Sequence, residues 1–296
     1  MNSLLPVRII VLNYNGEELL PKCLPSIVDA ARHYPPAASV TVLDNGSTDQ
    51  GLRYVGEMFP EVDIYRAPHN HYLCSYNEYL KKITEPVCIF LNNDIRVDPG
   101  FIAPLVEKFN QDPQTFMVAP RVMDFDGLAI QAGPSKWGMR YGLFWCSARY
   151  PGYEEDAINS SSTVSSGFGA FSRKKFLELG GYDPIFLPGI FEDVDLCFRA
   201  QKQGDSCYYA AQSIVYHMGQ ASFKKKFGSE GIKRLAARNN FLFMRKNMRG
   251  IYFFVTQCLF VPLRIALSLM KGDGSLLRGF FDAFFKRKVL SDSGEF

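Results

Sequence analysis

The sequence predicts an α/β protein built on a mostly parallel central sheet with helices on both faces. Two observations carry this prediction. Short apolar runs alternate with amphipathic stretches through the first hundred residues, and each polar motif of that half falls directly after an apolar run. Strand–helix alternation calls for crossover connections that lay helices against the sheet. In such sheets ligands bind beyond the carboxyl ends of the strands.

The strand-like runs are residues 7–12, 40–43, 62–65 and 87–91. Between the first two, Leu19, Leu20, Cys23, Leu24, Ile27, Val28 and Ala31 recur near every fourth position, which places them on one helical face. Pro21 suits the first turn of that helix, while Pro25 predicts a kink. From about 124 to 164 the periodicity dissolves. This stretch holds Trp137, Trp145, five glycines and a Ser/Thr run at 160–163. It predicts loops that shape a pocket. Order returns with SSGFGAFSRKKF at 165–176, an acidic cluster, and a helical segment over about 232–247.

Residues 251–270 are apolar but contain Gln257, Pro262 and Arg264. A spanning helix needs about 20 mainly apolar residues without a central charge, so the segment predicts a helix that does not span. In LLRGFFDAFFKRKVL (276–290), Leu276, Leu277, Phe280, Phe281, Phe284 and Phe285 share a helical face, with Arg278, Lys286 and Lys288 among or beside them. That pattern fits a helix lying in a membrane interface, or one docked on its own domain. The organisation expected is one domain over 1–250 followed by basic amphipathic helices over 251–296.

Composition sets few limits. The 47% apolar and 21% charged shares of the 296 residues are those of a globular protein with a sizeable core. Seven scattered cysteines without a CxxC pair read as thiols of a reducing compartment, not as a disulfide frame or zinc site. The start, MNSLLPVRIIVLN, lacks the pattern of a secretory signal. Together these predict a cytoplasmic protein. The net charge of +3 is unevenly spread: residues 1–216 hold 18 Lys/Arg against 25 Asp/Glu, and residues 217–296 hold 15 against 5. A basic tail suggests contact with an anionic membrane surface or phosphates; a solvated helix face is the plain alternative. The basic residues lie in an apolar tail and in no nucleic-acid motif, so nucleic acid is not expected as a partner.

Two acidic clusters carry the chemistry. Like charges resist joint ionisation, so gathered carboxylates point to a metal, a proton or a phosphate ligand. In FLNNDIRV (90–97), Asn92 and Asp94 follow an apolar run; they suit Mg²⁺ or Mn²⁺, or a helix cap before Pro99. In GIFEDVDLCFR (189–199), a helix starting near Glu192 stabilises nearby acids by its dipole. That explains one acid more readily than Glu192, Asp193 and Asp195 together. A carboxylate here suits a general base, with Arg199 as its ion-pair partner. In LDNGSTDQG (43–51), Asp44 serves either turn chemistry or recognition of a nucleobase or ribose. His217, in VYHMG, is a structural histidine or a metal ligand.

The order VLNYNG, LDNGSTDQG, FLNNDIRV, SSGFGAFSRKKF, GGYDPIF, FEDVDLCFR and YHMG resembles family 2 inverting glycosyltransferases of the GT-A fold, over about residues 6–250. The branch it resembles most holds bacterial rhamnosyltransferase-like enzymes of surface polysaccharide and lipopolysaccharide assembly. The resemblance implies a nucleotide-sugar site lined by Asn13, Tyr14, Asn15, Asp44, Ser47, Asp49, Asn77, Asn92, Asn93 and Gly167. It implies a Mg²⁺ or Mn²⁺ ion on Asp94 and His217, and Asp193 as catalytic base supported by Glu192 and Asp195. The donor it implies is dTDP-rhamnose or a UDP-sugar; the acceptor is a glycan or a polyprenyl-diphosphate-linked saccharide at the inner face of the cytoplasmic membrane. Two positions depart from the family pattern. Asn92 stands where an Asp begins the DxD motif, and Tyr72, in NHYLCSYNEYL (70–80), stands where a glycine is expected. A sugar-nucleotide nucleotidyltransferase and an inactive carbohydrate- or membrane-binding module are the competing readings. The first lacks a Gly-rich basic loop after the first strand, and the second does not account for the intact acidic cluster.

Overall fold

A computed structural model describes residues 5–35, 38–219 and 221–285. The four predicted strands form β1 (Val7–Asn13), β2 (Ser39–Asp44), β3 (Asp63–Arg66) and β4 (Val87–Asn92). Among them run α1 (Leu20–His33), α2 (Gly51–Met58) and the short α3 (Ser75–Tyr79). Pro21 lies in the first turn of α1, and Pro25 lies within the helix. After β4 come β5 (Ile95–Val97), α4 (Ile102–Gln111), β6 (Thr115–Asp124) and β7 (Ile130–Ala132). The second half holds β8 (Lys136–Arg140), β9 (Leu143–Ser147), α5 (Tyr153–Asp156), β10 (Ser161–Ser162), β11 (Gly169–Ser172), α6 (Arg173–Glu178), α7 (Glu192–Lys202) and β12 (Ser206–His217). Three helices close the described chain: α8 (Ala221–Asn247), α9 (Ile251–Met270) and α10 (Ser275–Phe285). A non-helical Gly228 breaks α8 near its start.

The main sheet has the order β10-β12-β6-β11-β4-β1-β2-β3, with β5 on β12 and β7 on β6. It is parallel from β4 through β3 and between β6 and β12. The antiparallel β11 joins these two parts. The chain leaves β1 toward β2 on one side and returns on the other at β4, which makes a topological switch point at the carboxyl ends of β1 and β4. Asn13, Asp44 and Asn92 each end a strand at that edge.

Both sheet faces are covered, so the central strands read as continuous apolar runs. Ile9, Val11, Ile89 and Leu91 pack with α1 and α4 on one face. Ile10, Cys88, Phe90 and Phe171 pack with Tyr76, Phe176 and Leu196 on the other. A third cluster joins Phe144 of β9, Phe241 and Phe243 of α8, Ala283 of α10 and Phe186.

Two expectations change. The 124–164 stretch is not all loop: Lys136–Ser147 is a two-stranded antiparallel hairpin bearing both tryptophans. Its glycines hide the strand signal. Gly138 lies against Trp145, and Gly142 makes the turn close to α9. The second change concerns the final helix. α10 docks on α8, where Gly279 permits close approach to Ala237 and Arg238, and Arg234 holds Asp282 at 2.6 Å. Phe280 and Phe284 face Phe241, while Phe281 and Phe285 face outward. The expected single apolar face is thus split between core and surface. Lys286 and Lys288 lie outside the described residues.

Candidate active site

The donor-side loops are tied to one another. Asn13 Nδ2 donates to Asp44 Oδ1 (3.0 Å) and Ser47 Oγ (3.1 Å), and Asn93 Nδ2 donates to Asn13 Oδ1 (2.8 Å). Gly16 is required beside this network, because a Cβ there would stand 2.1 Å from Asn13 Oδ1. Asn15 Oδ1 accepts from the Thr48 amide (2.9 Å), and Asp49 Oδ2 from the Glu17 amide (2.8 Å). Tyr14 stands 49% exposed at the mouth.

Of the two readings of Asp44, turn chemistry or recognition of a nucleobase or ribose, its hydrogen bonds show the first. Asp44 is 1% exposed. Its Oδ1 accepts from Asn13 and Ser47, and its Oδ2 from the Gly46 and Ser47 amides (3.1 and 3.0 Å). Turn chemistry accounts for the whole carboxylate, so its place is to hold the loop. Asn77 is likewise engaged: its amide exchanges two hydrogen bonds with the Tyr182 backbone (2.8 and 2.9 Å) and so anchors the segment before the acidic helix. Asn92 ends β4, half-buried at the sheet edge.

Strand register brings Asp94 to His217. β5 pairs antiparallel with β12, placing His217 opposite Ile95, the residue after Asp94. His217 Nε2 lies 3.4 Å from Asp94 Oδ2, and both side chains are mostly buried. His217 Nδ1 lies 2.7 Å from Gln131 Oε1, and Gln131 Nε2 donates to the His217 carbonyl (3.4 Å), which fixes the amide orientation. The ring therefore donates through Nδ1, and a neutral imidazole presents the Nε2 lone pair to a carboxylate oxygen. Two acceptors so placed favour a cation between them. Asp94 Oδ1 is buried without a hydrogen-bond partner. This donor set of one carboxylate and one imidazole fits Mg²⁺ or Mn²⁺, hard ions that take further ligands from water and phosphate. Among the described residues no cluster of three or more His, Cys, Asp or Glu forms a complete metal cage.

The second acidic cluster opens α7, as predicted. Glu192 and Asp193 lie in its first turn, where unpaired amides favour negative charge. Ile190 and Phe191 before them take left-handed backbone conformations, with φ of 72° and 82°. That strain is held from α8: Asn239 Nδ2 donates to the carbonyls of Phe186, Gly189 and Ile190 (2.8, 2.7 and 2.7 Å), and Arg238 donates to Leu187. Asn239→Ala removes the side-chain donor of the Gly189 and Ile190 carbonyls, while the Phe186 carbonyl keeps the Gly189 amide (3.1 Å). The substitution should lower stability by about 2–3 kcal/mol and reduce turnover more than nucleotide affinity, read by thermal melting and steady-state kinetics.

The three acids have different surroundings. Asp195 is fully buried and accepts from Arg199 Nε, Lys246 Nζ and Asn247 Nδ2, each at 2.8 Å. It anchors α7 to α8 and is not a reacting group. Arg199 serves Asp195 in place of the base, and donates also to the Leu179 and Gly181 carbonyls (2.6 and 2.7 Å). Glu192 and Asp193 are half-buried, and Asp193 Oδ2 lies beside Gly167. Burial pushes the Glu192 carboxyl up to about 8, helped by the adjacent Asp193 charge, and burial raises Asp193 too. Glu192 Oε2 and the Tyr182 hydroxyl beneath the pair are buried without hydrogen-bond partners. A protonated Glu192 leaves Asp193 as the ionised member at neutral pH.

A raised carboxyl pKa means that the folded state holds a proton the unfolded chain has released. The stabilisation is therefore present at low pH and is lost as pH climbs from the ordinary carboxylate range to about 8. Glu192→Gln should then melt higher than wild type at pH 9, by about 1–3 kcal/mol, with the gap closing toward pH 5. A gap independent of pH would show that Glu192 titrates normally.

The two half-sites meet at adjacent residues. A Cβ on Gly167 would lie 3.5 Å from Asp193 Oδ2, and the Phe168 ring lies 5.9 Å from the His217 ring. The model of Glycosyl transferase family 2 matches residues 8–180, more than half of the chain. This chain belongs to that family.

The chain is 25% identical over 249 residues to N-acetylgalactosaminyltransferase 7 of Drosophila melanogaster, covering 76% of this chain and 41% of that protein. It is 26% identical over 227 residues to N-acetylgalactosaminyltransferase 6 of the same organism, covering 72% of this chain and 34% of that protein. The chain thus spans 41% and 34% of the length of these relatives. Among solved structures, GalNAc-T7 with UDP, GalNAc and Mn²⁺ superposes with a TM-score of 0.66 at 18% identity, over 94% of this chain and 55% of that one. The mannosyltransferase PcManGT of Pyrobaculum calidifontis, with GDP-Man and Mn²⁺, gives 0.59 at 14% identity, over 95% and 88%. These likenesses show the GT-A-like fold. The relatives carry N-acetylgalactosaminyl names, and the rhamnosyltransferase-like branch is not among what they show.

Proposed function

We propose that this glycosyltransferase moves a sugar from a nucleoside-diphosphate donor to an acceptor hydroxyl with inversion, at a membrane surface. The observation that supports this reading is the junction at Gly167–Phe168, where Gly167 lies beside Asp193 and the Phe168 ring beside the His217 ring. Asp193 takes the proton of the acceptor hydroxyl as its oxygen attacks the anomeric carbon, and the nucleoside diphosphate departs from the opposite face. Asp94 and His217 would hold Mg²⁺ or Mn²⁺, which offsets charge on the departing diphosphate. The Asn13–Gly16 and Asp44–Asp49 loops orient the nucleotide at the sheet edge.

The donor follows less directly. The motif order supports a rhamnosyltransferase of bacterial surface polysaccharide assembly using dTDP-rhamnose, and the UDP bound in the GalNAc-T7 structure supports a UDP-sugar. Tyr72, at φ 50° with its hydroxyl accepting from Lys226 (2.8 Å), fills space that glycine would leave open and restricts the donor. Thermal shift and hydrolysis with a panel of UDP-, dTDP- and GDP-sugars test the reading. One nucleotide class should stabilise the protein and only with Mn²⁺ or Mg²⁺; stabilisation by none would overturn it.

The membrane surface is supported by α9. Its Phe253–Met270 window is long and apolar enough to cross a bilayer, yet only 6% of it is buried within the protein. Its polar residues turn inward: Gln257 donates to the Gly142 carbonyl and Arg264 to that of Arg140 (2.8 Å). Phe254, Leu259, Leu263 and Leu267 face outward, at 62, 64, 54 and 47% exposure. A helix clasped on one side and apolar on the other lies in the interface. The protein is then a peripheral enzyme of the cytoplasmic face. Leu259→Ser with Leu263→Ser should weaken sedimentation with anionic liposomes about tenfold or more and leave melting nearly unchanged. Unchanged liposome binding would place the contact elsewhere.

A further inference from the structure

Tyr72 joins two parts of the chain that sequence keeps far apart. Its backbone is fixed on the nucleotide side. Asn45, the residue after Asp44, is 3% exposed and donates through Nδ2 to the Tyr72 carbonyl (3.2 Å). Asn45 Oδ1 accepts from Ser75 Oγ, and the Tyr72 amide donates to Asn70 Oδ1 (3.1 Å). These ties hold Tyr72 at φ 50°, a left-handed conformation that costs a tyrosine free energy. Its side chain reaches the other part. The Tyr72 hydroxyl accepts from Lys226 Nζ (2.8 Å). Lys226 belongs to the chain that leaves His217, just before α8 breaks at Gly228.

The chemistry of this contact leaves the lysine charge unspent. Nζ lies 5.3 Å from the centroid of the Tyr72 ring and 5.6 Å from that of Phe227. A phenol oxygen and two ring faces orient an ammonium without neutralising it, as a carboxylate would. Among the described residues these neutral groups are its partners, and Lys226 is exposed. The cation site, in turn, is lean. Asn92 stands in place of the first Asp of the DxD motif, which leaves the Asp94 carboxylate and the His217 imidazole. A divalent ion on one carboxylate is held less firmly than on two. The diphosphate gains negative charge as its bond to the sugar breaks, and a lysine beside phosphate oxygens offsets that charge as a point cation.

We propose that Lys226 binds the diphosphate of the donor, and that Tyr72 is the positioning residue that presents its ammonium. The two departures from the family pattern, Asn92 and Tyr72, then belong together: a metal carboxylate is given up and a held lysine is gained. The bridge runs from the nucleotide loop through Asn45 and Tyr72 to the chain that leaves His217. A nucleoside diphosphate bound by that loop and by a metal on His217 lies between the same two parts. The proposal rests on the glycosyl-transfer reading above and adds a phosphate ligand to that site.

Calorimetric titration of the full chain with UDP and with dTDP, each with Mn²⁺, tests it. Lys226→Gln should bind the nucleotide that wild type binds at least about tenfold more weakly, with unchanged melting, and Lys226→Arg should recover most of the loss. Tyr72→Phe keeps the ring and removes the hydroxyl. It should weaken binding about two- to fivefold in the wild-type background and no further in Lys226→Gln. A tyrosine with a merely structural role would cost the same in both backgrounds. Unchanged affinity in Lys226→Gln, or an additive loss from Tyr72→Phe, would overturn the proposal and leave the glycosyl-transfer reading standing. A wild-type protein that binds neither nucleotide would overturn that reading and the proposal with it.

Discussion

Asp193→Asn is expected to lower sugar transfer about 10³-fold while nucleotide binding persists. The substitution is nearly isosteric and removes only the capacity to accept a proton. The site explains why the effect falls on turnover. Asp193 lies in the first turn of α7, beside Gly167 and next to a Glu192 whose carboxyl is pushed up to about 8. No other ionised carboxylate of the cluster is placed to substitute, because Asp195 is fully buried and bound to Arg199, Lys246 and Asn247. The variant should also be slightly more stable than wild type at neutral pH, since a buried charge is lost. Transfer measured with labelled donor checks the first effect, and melting checks the second. Equal turnover in both proteins would remove Asp193 from the base role.

Asp94→Asn is expected to lower transfer by about 10²–10³-fold, through the donor and not the acceptor. Among the described residues Asp94 is the carboxylate within ion-pair range of the His217 ring, its Oδ2 lying 3.4 Å from Nε2. With Asn92 at the head of the motif, no second acid compensates there. The amide keeps an oxygen but loses the charge, and it can donate to His217 Nε2, closing the gap a cation would fill. Nucleotide affinity should lose its dependence on Mn²⁺. An affinity that still rises with Mn²⁺ would move the metal away from Asp94.

Much of this architecture is legible in sequence because period and position coincide. The runs at 7–12, 40–43 and 87–91 are buried on both faces, and the polar residues that end them mark the ligand edge. The helix at Glu192 is announced by its own acids. What sequence hides is pairing across distance. Asp94 meets His217 only through the β5–β12 register, and Gln131, which sets the His217 tautomer, comes from an edge strand with no motif. Asn239 and Lys246 lie in a helix whose pattern says nothing about carbonyls or carboxylates elsewhere. Asp44 and Asp195 carry roles that residue type leaves open: the hydrogen bonds of Asp44 tie its loop, and those of Asp195 tie α7 to α8. The hairpin at 136–147 escapes notice because its glycines interrupt the alternation that identifies a strand.

The apolar C-terminal segment also depends on packing. Gln257 and Arg264 weaken it as a bilayer span in sequence, and in the structure both turn onto the hairpin while the leucines stay outside.

The division of labour between the two acidic clusters is tested most directly by calorimetric titration of the nucleoside diphosphate into wild type, Asp94→Asn and Asp193→Asn, each with and without Mn²⁺. Metal-dependent binding should be equal in wild type and Asp193→Asn and absent in Asp94→Asn. Loss of binding in Asp193→Asn, or full Mn²⁺-dependent binding in Asp94→Asn, would contradict the assignment.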